Sequence, residues 1–237
     1  MSILNLLALF LLGALTYLAR RLCRCPAAQI EKILRLLCWL LLGVNLAHYL
    51  IVYPAFFFQV RIPAEFSTIA YFVVPLIMLA GWKRLYCWAA YSGLMAGFFY
   101  YLAMILAGGA IYGGNTPLDN AVCLFCHGTL YFCGFVLAST TSFSRHDGWK
   151  LLLGTGYIGL RAAMLRPLVL GRSPMLIYIL LDAIPARTIF PDAATWPTVV
   201  PIYYGLLAAF VFCTICGFFR RNRKQCRKYA APLPAAG

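Results

Sequence analysis

Seven apolar runs alternate with short polar links along the chain, at 2–19, 33–58, 66–82, 85–107, 120–143, 151–170 and 196–219. A helix needs about 20 mostly apolar residues to cross the hydrocarbon of a bilayer. The runs match that length, and the pattern predicts an all-α fold: a polytopic membrane helix bundle of seven transmembrane helices. The sixth run is interrupted by Arg161 and Arg166. A proline-punctuated stretch, 171–195, follows it and holds a shorter apolar piece at 175–184. That piece is too short to cross, and it reads as a half-helix or lid on the outer side. The first run has no basic flank before it and no A-x-A site, so it reads as a first span and not as a cleaved signal.

The polar links carry the orientation. Arg20, Arg21, Arg24 and Lys32 follow the first run, Lys83 and Arg84 the third, and Arg145 and Lys150 the fifth. The tail from Arg220 to Lys228 is strongly basic, whereas the links between runs two and three and between runs four and five hold Arg61 alone. Basic residues mark the cytoplasmic side. The expected topology therefore has the N-terminus outside and the C-terminus cytoplasmic. Residues 1–219 form the transmembrane domain and 220–237 a basic cytoplasmic tail. The expected location is the cell (plasma) membrane.

Composition agrees. The chain is 63% hydrophobic and 11% charged, against about 25% charged in soluble domains. The net charge of +14 sits between the apolar runs, where it suits anionic lipid heads. No basic and aromatic groove of the soluble type is visible, so nucleic acid is not an expected partner. Ten cysteines lie mostly within the runs and read as buried thiols. Cys23 and Cys25 also stand where juxtamembrane palmitoylation occurs.

The candidate chemistry is concentrated at the openings of runs three and five. With the fifth helix starting near Asp119, His127 lies roughly 12 Å below the outer surface. With the third starting near Pro63, Ser67 lies roughly 6 Å below the same surface, next to Glu65. A hydroxyl becomes a nucleophile when a base takes its proton and a third group orients that base. Ser67, His127 and Glu65 supply those three types, and ionisable residues inside a span tend to be functional. The bland alternative is that Ser67 packs and Glu65 faces the lipid heads. Arg166 and Arg172 suit a phosphate, against snorkelling or pairing with Asp182 or Asp192. His48 reads as a bundle histidine satisfied by its neighbours. Cys123-x-x-Cys126-His127 also has the spacing of covalent c-type haem attachment, the redox alternative, although it falls within an apolar helical run. A zinc site lacks a second ligand cluster, so no metal and no cofactor is expected.

These residues also carry a family resemblance, over about residues 30–220. The chain resembles the YwaF-type bacterial membrane proteins and their animal relative transmembrane protein 164, and more distantly the androgen-induced membrane hydrolases. Where that family opens its third span with Leu-Pro-Leu-(His/Gln)-Phe-Cys, this chain has Ile62-Pro63-Ala64-Glu65-Phe66-Ser67. Where the family opens its fifth with Gly-His-Gly, this chain has Cys126-His127-Gly128. The family's late Trp-Pro is matched by Trp196-Pro197. The resemblance implies acyl transfer from a phospholipid, with the cysteine forming an acyl-enzyme and the histidine as base. Ser67 stands in place of that cysteine. The related hydrolases use a threonine with a histidine, a precedent for a hydroxyl nucleophile, while the missing cysteine also suits an inactive or repurposed member. The expected function is a membrane-embedded lipid acyltransferase or ester hydrolase. Its catalytic set is Ser67, His127 and Glu65, and its substrate-binding set is Arg166, Arg172 and Trp196. Its partners are membrane lipids and a phospholipid or acyl-ester substrate. The alternative from another class is a non-catalytic transporter or lipid-binding membrane protein.

Overall fold

The computed structural model describes residues 3–52, 66–112, 116–157 and 196–230. The described residues are helical, with no strand among them. In chain order the helices are α1 (Ile3–Leu22), α2 (Ala27–Val52), α3 (Phe66–Leu79), α4 (Tyr86–Tyr112), α5 (Pro117–Thr140), α6 (148–157) and α7 (Trp196–Ala230). Ile3–Leu22, Lys83–Leu106 and Pro117–Thr140 are each long and apolar enough to cross a membrane, and they mark the chain as a membrane protein.

Local chemistry sets the helix ends. Thr116 caps α5: its side chain accepts from the Asp119 N–H at 3.1 Å, and Pro117 occupies the first helical position, where no N–H is needed. The helix thus begins three residues before the apolar run at 120. The third run breaks at Gly81, whose φ of 68° admits a left-handed turn. The Trp82 N–H reaches the Ile77 carbonyl at 3.0 Å and the Gly81 N–H that of Met78 at 3.3 Å, closing α3 early. Pro75 lies inside α3 and has no N–H to give to the Tyr71 carbonyl four residues back.

Helix α5 is the axis of the bundle. It packs against α1, α2, α3, α4 and α7, and 78% of its most apolar window is buried, against 17% for α1. The order of neighbours around it is α2, α3, α4, α1. Between α4 and α5 the backbones touch. A Cβ on Gly97 would stand 2.4 Å from the Tyr131 Cβ and 2.6 Å from the His127 carbonyl oxygen, and one on Gly134 would stand 2.5 Å from the Leu94 nitrogen. Only glycine allows this approach, and small residues at such crossings are how membrane helices gain close contact.

The basic tail is no separate segment at its start. Helix α7 runs through the boundary read at Phe219 and continues to Ala230. Asn222, fully buried, donates to the Ala138 and Thr141 carbonyls at 2.8 and 2.7 Å and accepts from the Phe143 N–H at 3.1 Å. It therefore satisfies the open carbonyl end of α5.

Candidate functional site

Of the expected site residues, Glu65, Arg166 and Arg172 lie outside the described residues, and Trp196 opens α7. Ser67 and His127 are described, on α3 and α5. His127 is 6% exposed. Its surroundings come from three helices, and each has a sequence cause. Gly97 lets α4 lie against the turn of α5 that carries His127. One turn on, the Tyr100 ring stacks on the imidazole at 3.6 Å with 9° between planes. From α3 the Tyr71 ring meets the imidazole edge-on, with centroids 5.1 Å apart.

The Tyr71 hydroxyl lies astride one edge of the imidazole, 2.6 Å from Nδ1 and 2.9 Å from Nε2. Nδ1 is also 2.9 Å from the Cys123 carbonyl, one turn back on α5. A carbonyl only accepts, so the bond to it places the proton on Nδ1 and leaves Nε2 as the lone pair. Tyr71 then donates to Nε2. Ser67 precedes Tyr71 by one helical turn on the same face of α3. Tyr71 thus bonds the histidine, and Ser67 stands one turn from that tyrosine on α3.

A second polar pair stands toward the start of α5. His48 Nε2 on α2 lies 3.1 Å from Asp119 Oδ1, and the Thr116 hydroxyl donates to Asp119 Oδ2 at 2.7 Å. His48 is thus satisfied by a bundle neighbour, as its place in a helical run implied. Deeper, the Asn45 side chain donates to the Leu41 carbonyl at 2.8 Å.

The Cys-x-x-Cys-His spacing lies in the middle of α5. Both thiols are free, Cys126 is 1% exposed, and the His127 ring is stacked on Tyr100 with both nitrogens against protein oxygens. A porphyrin needs the ring's Nε2 open to iron and both sulfurs at its edge, and this arrangement does not fit one. Among the described residues no three His, Cys, Asp or Glu side chains gather as a metal site.

Tyr71 and Tyr100 were not singled out in the sequence. The signal for Tyr71 was its spacing of four from Ser67, and for Tyr100 its place one turn after Gly97. With fifteen tyrosines in the chain, neither spacing is distinctive without the helix neighbours. Comparison with family models, with curated proteins and with solved structures returns no match to the chain.

Proposed function

We propose that the chain is a membrane-embedded lipid acyltransferase or ester hydrolase in which Ser67 is the nucleophile and His127 the base, joined by Tyr71. The observation that carries this reading is the Tyr71 hydroxyl at the lone pair of His127 Nε2, with Ser67 one helical turn from Tyr71 on α3. As Ser67 Oγ bonds to the acyl carbon, its proton passes to the Tyr71 oxygen and the Tyr71 proton passes to Nε2. The ester C–O bond then breaks, and the leaving oxygen takes the proton back along the same line. The acyl group on Ser67 is released to water or to an acceptor hydroxyl by the reverse transfer. The Cys123 carbonyl holds the ring in the required tautomer. In this proposal Glu65 orients the base, Arg166 and Arg172 receive the phosphate and Trp196 contributes to substrate binding, as the sequence suggests.

The same reading takes the protein as seven spans with the N-terminus outside and the C-terminus cytoplasmic, in the plasma membrane. The loop charges support it, and a tag at residue 230 accessible only after the membrane is opened is the expected result. The chemistry is tested in proteoliposomes with a fluorophosphonate probe and a fluorescent phospholipid. Ser67 should be the labelled residue. Ser67→Ala and His127→Ala should each abolish turnover, and Tyr71→Phe should lower it by about 10²–10⁴-fold, the range for losing an acid–base step. Ser67→Cys should keep activity, because a thiol is the more nucleophilic group. Turnover in Ser67→Ala equal to wild type overturns the assignment of the nucleophile, and no turnover by the wild type leaves a non-catalytic lipid-binding protein.

A further inference from the structure

A second feature of the bundle lies apart from His127. Helices α1 and α2 each pack on α5 but make little contact with one another beyond their tight connection. They leave a cleft of about 1020 Å³ with α5 as its floor. His127 is not among its lining residues.

The cleft is two-ended in its chemistry. Leu11 and Leu18 on α1, Leu37 on α2 and Phe125 and Phe132 on α5 line an apolar shaft, while Arg21, Arg24 and Gln29 are gathered at the end where α1 passes into α2. Among the described residues no acidic side chain lines it, and neither arginine has an ion-pair partner. The first turn of α2 opens at the same end, so its N–H groups add positive potential there. From Leu11 to Arg21 the wall rises ten residues, about 15 Å of helix, or half of the roughly 30 Å hydrocarbon thickness. The shaft therefore has the length of one leaflet, with its cations at the headgroup level.

We infer that this cleft is a binding site for an anionic glycerophospholipid, with an acyl chain in the shaft between α1 and α2 and its phosphate held by Arg21 and Arg24. Charge complementarity selects the occupant. A zwitterionic lipid brings a cation to a mouth that already has two and, among the described residues, no acid. The planar guanidinium matches phosphate oxygens in pairs. The inference does not rest on catalysis at His127.

The test uses the full chain in nanodiscs of phosphatidylcholine, doped with phosphatidylglycerol. Co-purified lipid is counted by native mass spectrometry, and stability is followed by thermal melting. Phosphatidylglycerol should be retained in preference to phosphatidylcholine and should raise the melting temperature. Arg21→Gln with Arg24→Gln should weaken that preference by about 30-fold, two basic side chains near the lipid surface acting together, and raised salt should weaken it too. Leu18→Trp, which fills the shaft and keeps both cations, should also lose the lipid. Arg223→Gln with Arg227→Gln, in the other basic cluster, should not. Equal retention of both lipids, or a preference lost through the α7 pair and not through Arg21 and Arg24, overturns the inference. A hydroxylamine-sensitive mass on Cys25, which also lines the mouth, overturns it as well by making the occupant a covalent acyl chain.

Discussion

Where α4 meets α5, Gly93, Gly97 and Gly134 face backbone atoms closer than a Cβ tolerates. On α1 and α2, Gly13 and Gly43 stand outside the cleft lining and have nothing within 4 Å of the place a Cβ would occupy. All of these glycines lie in apolar runs and look alike in the sequence. The difference is register. A glycine closes a seam only when the neighbouring helix offers backbone at the same level, as α5 does with the Leu130 and His127 carbonyls. The closed seam holds a histidine against a tyrosine ring. The open cleft holds space with arginines at its mouth.

Substituting the seam tests this contrast most severely. Gly97→Leu should leave no folded, monodisperse protein in detergent. Gly97→Ala should lower stability by about 1–3 kcal/mol, as overpacked sites do, read from thermal melts on size-exclusion chromatography. A Gly97→Ala protein as stable as wild type would mean that α4 and α5 are further apart than described.

Cys23 and Cys25 contrast beside the cleft: Cys25 lines it and Cys23 does not. Cys23 is buried, and burial pushes its thiol up to about 11 even though the Arg221 cation and the Ser139 hydroxyl pull it down. Burial disfavours the anion, and the thiolate is the reactive form. At pH 8 Cys23 should be alkylated about a hundredfold more slowly than a free cysteine, with the rate rising roughly tenfold per pH unit until about pH 11. Timed iodoacetamide labelling followed by mass spectrometry reads this directly. Arg221→Met should slow it further, and fast labelling of Cys23 would put that thiol in the cleft.

Tyr101 stands between the two regions. It lines the cleft, and its hydroxyl donates to the Leu124 carbonyl at 2.9 Å. Tyr101→Phe should cost about 1 kcal/mol in the same melts, the net worth of one hydrogen bond. The smallest effect is expected at the open glycines. Gly13→Ala or Gly43→Ala should be neutral, or stabilising by up to about 1 kcal/mol through helix propensity. Destabilisation at Gly13 or Gly43 would show that a neighbour packs on those positions.

The helices were legible because a continuous apolar run long enough to cross a bilayer has few other folded outcomes. The start of α5 falls two residues before the expected Asp119, because Thr116 and Pro117 belong to the cap and not to the hydrophobic pattern. The end of α7 was read as a tail because charge was taken for the end of the helix, although Asn222 within it is fully buried. At the site, depth alone put Ser67 and His127 in one region, and Tyr71, which bonds the histidine, was not visible. Depth follows from counting along one helix. Contact depends on which faces two helices turn to each other, and that is decided by glycines whose partners lie more than thirty residues away.

Asn222 has a further consequence, in time. The Ala138 and Thr141 carbonyls that it satisfies leave the ribosome some eighty residues before it does. At about 5–20 residues per second, the end of α5 waits on the order of 4–16 s for its partner. Throughout that interval a nascent chain carries an unfinished helix end, which the last helix alone removes. A chain stopped short of residue 222 keeps that mark permanently, and so differs from a completed one in a way that cellular quality control can recognise.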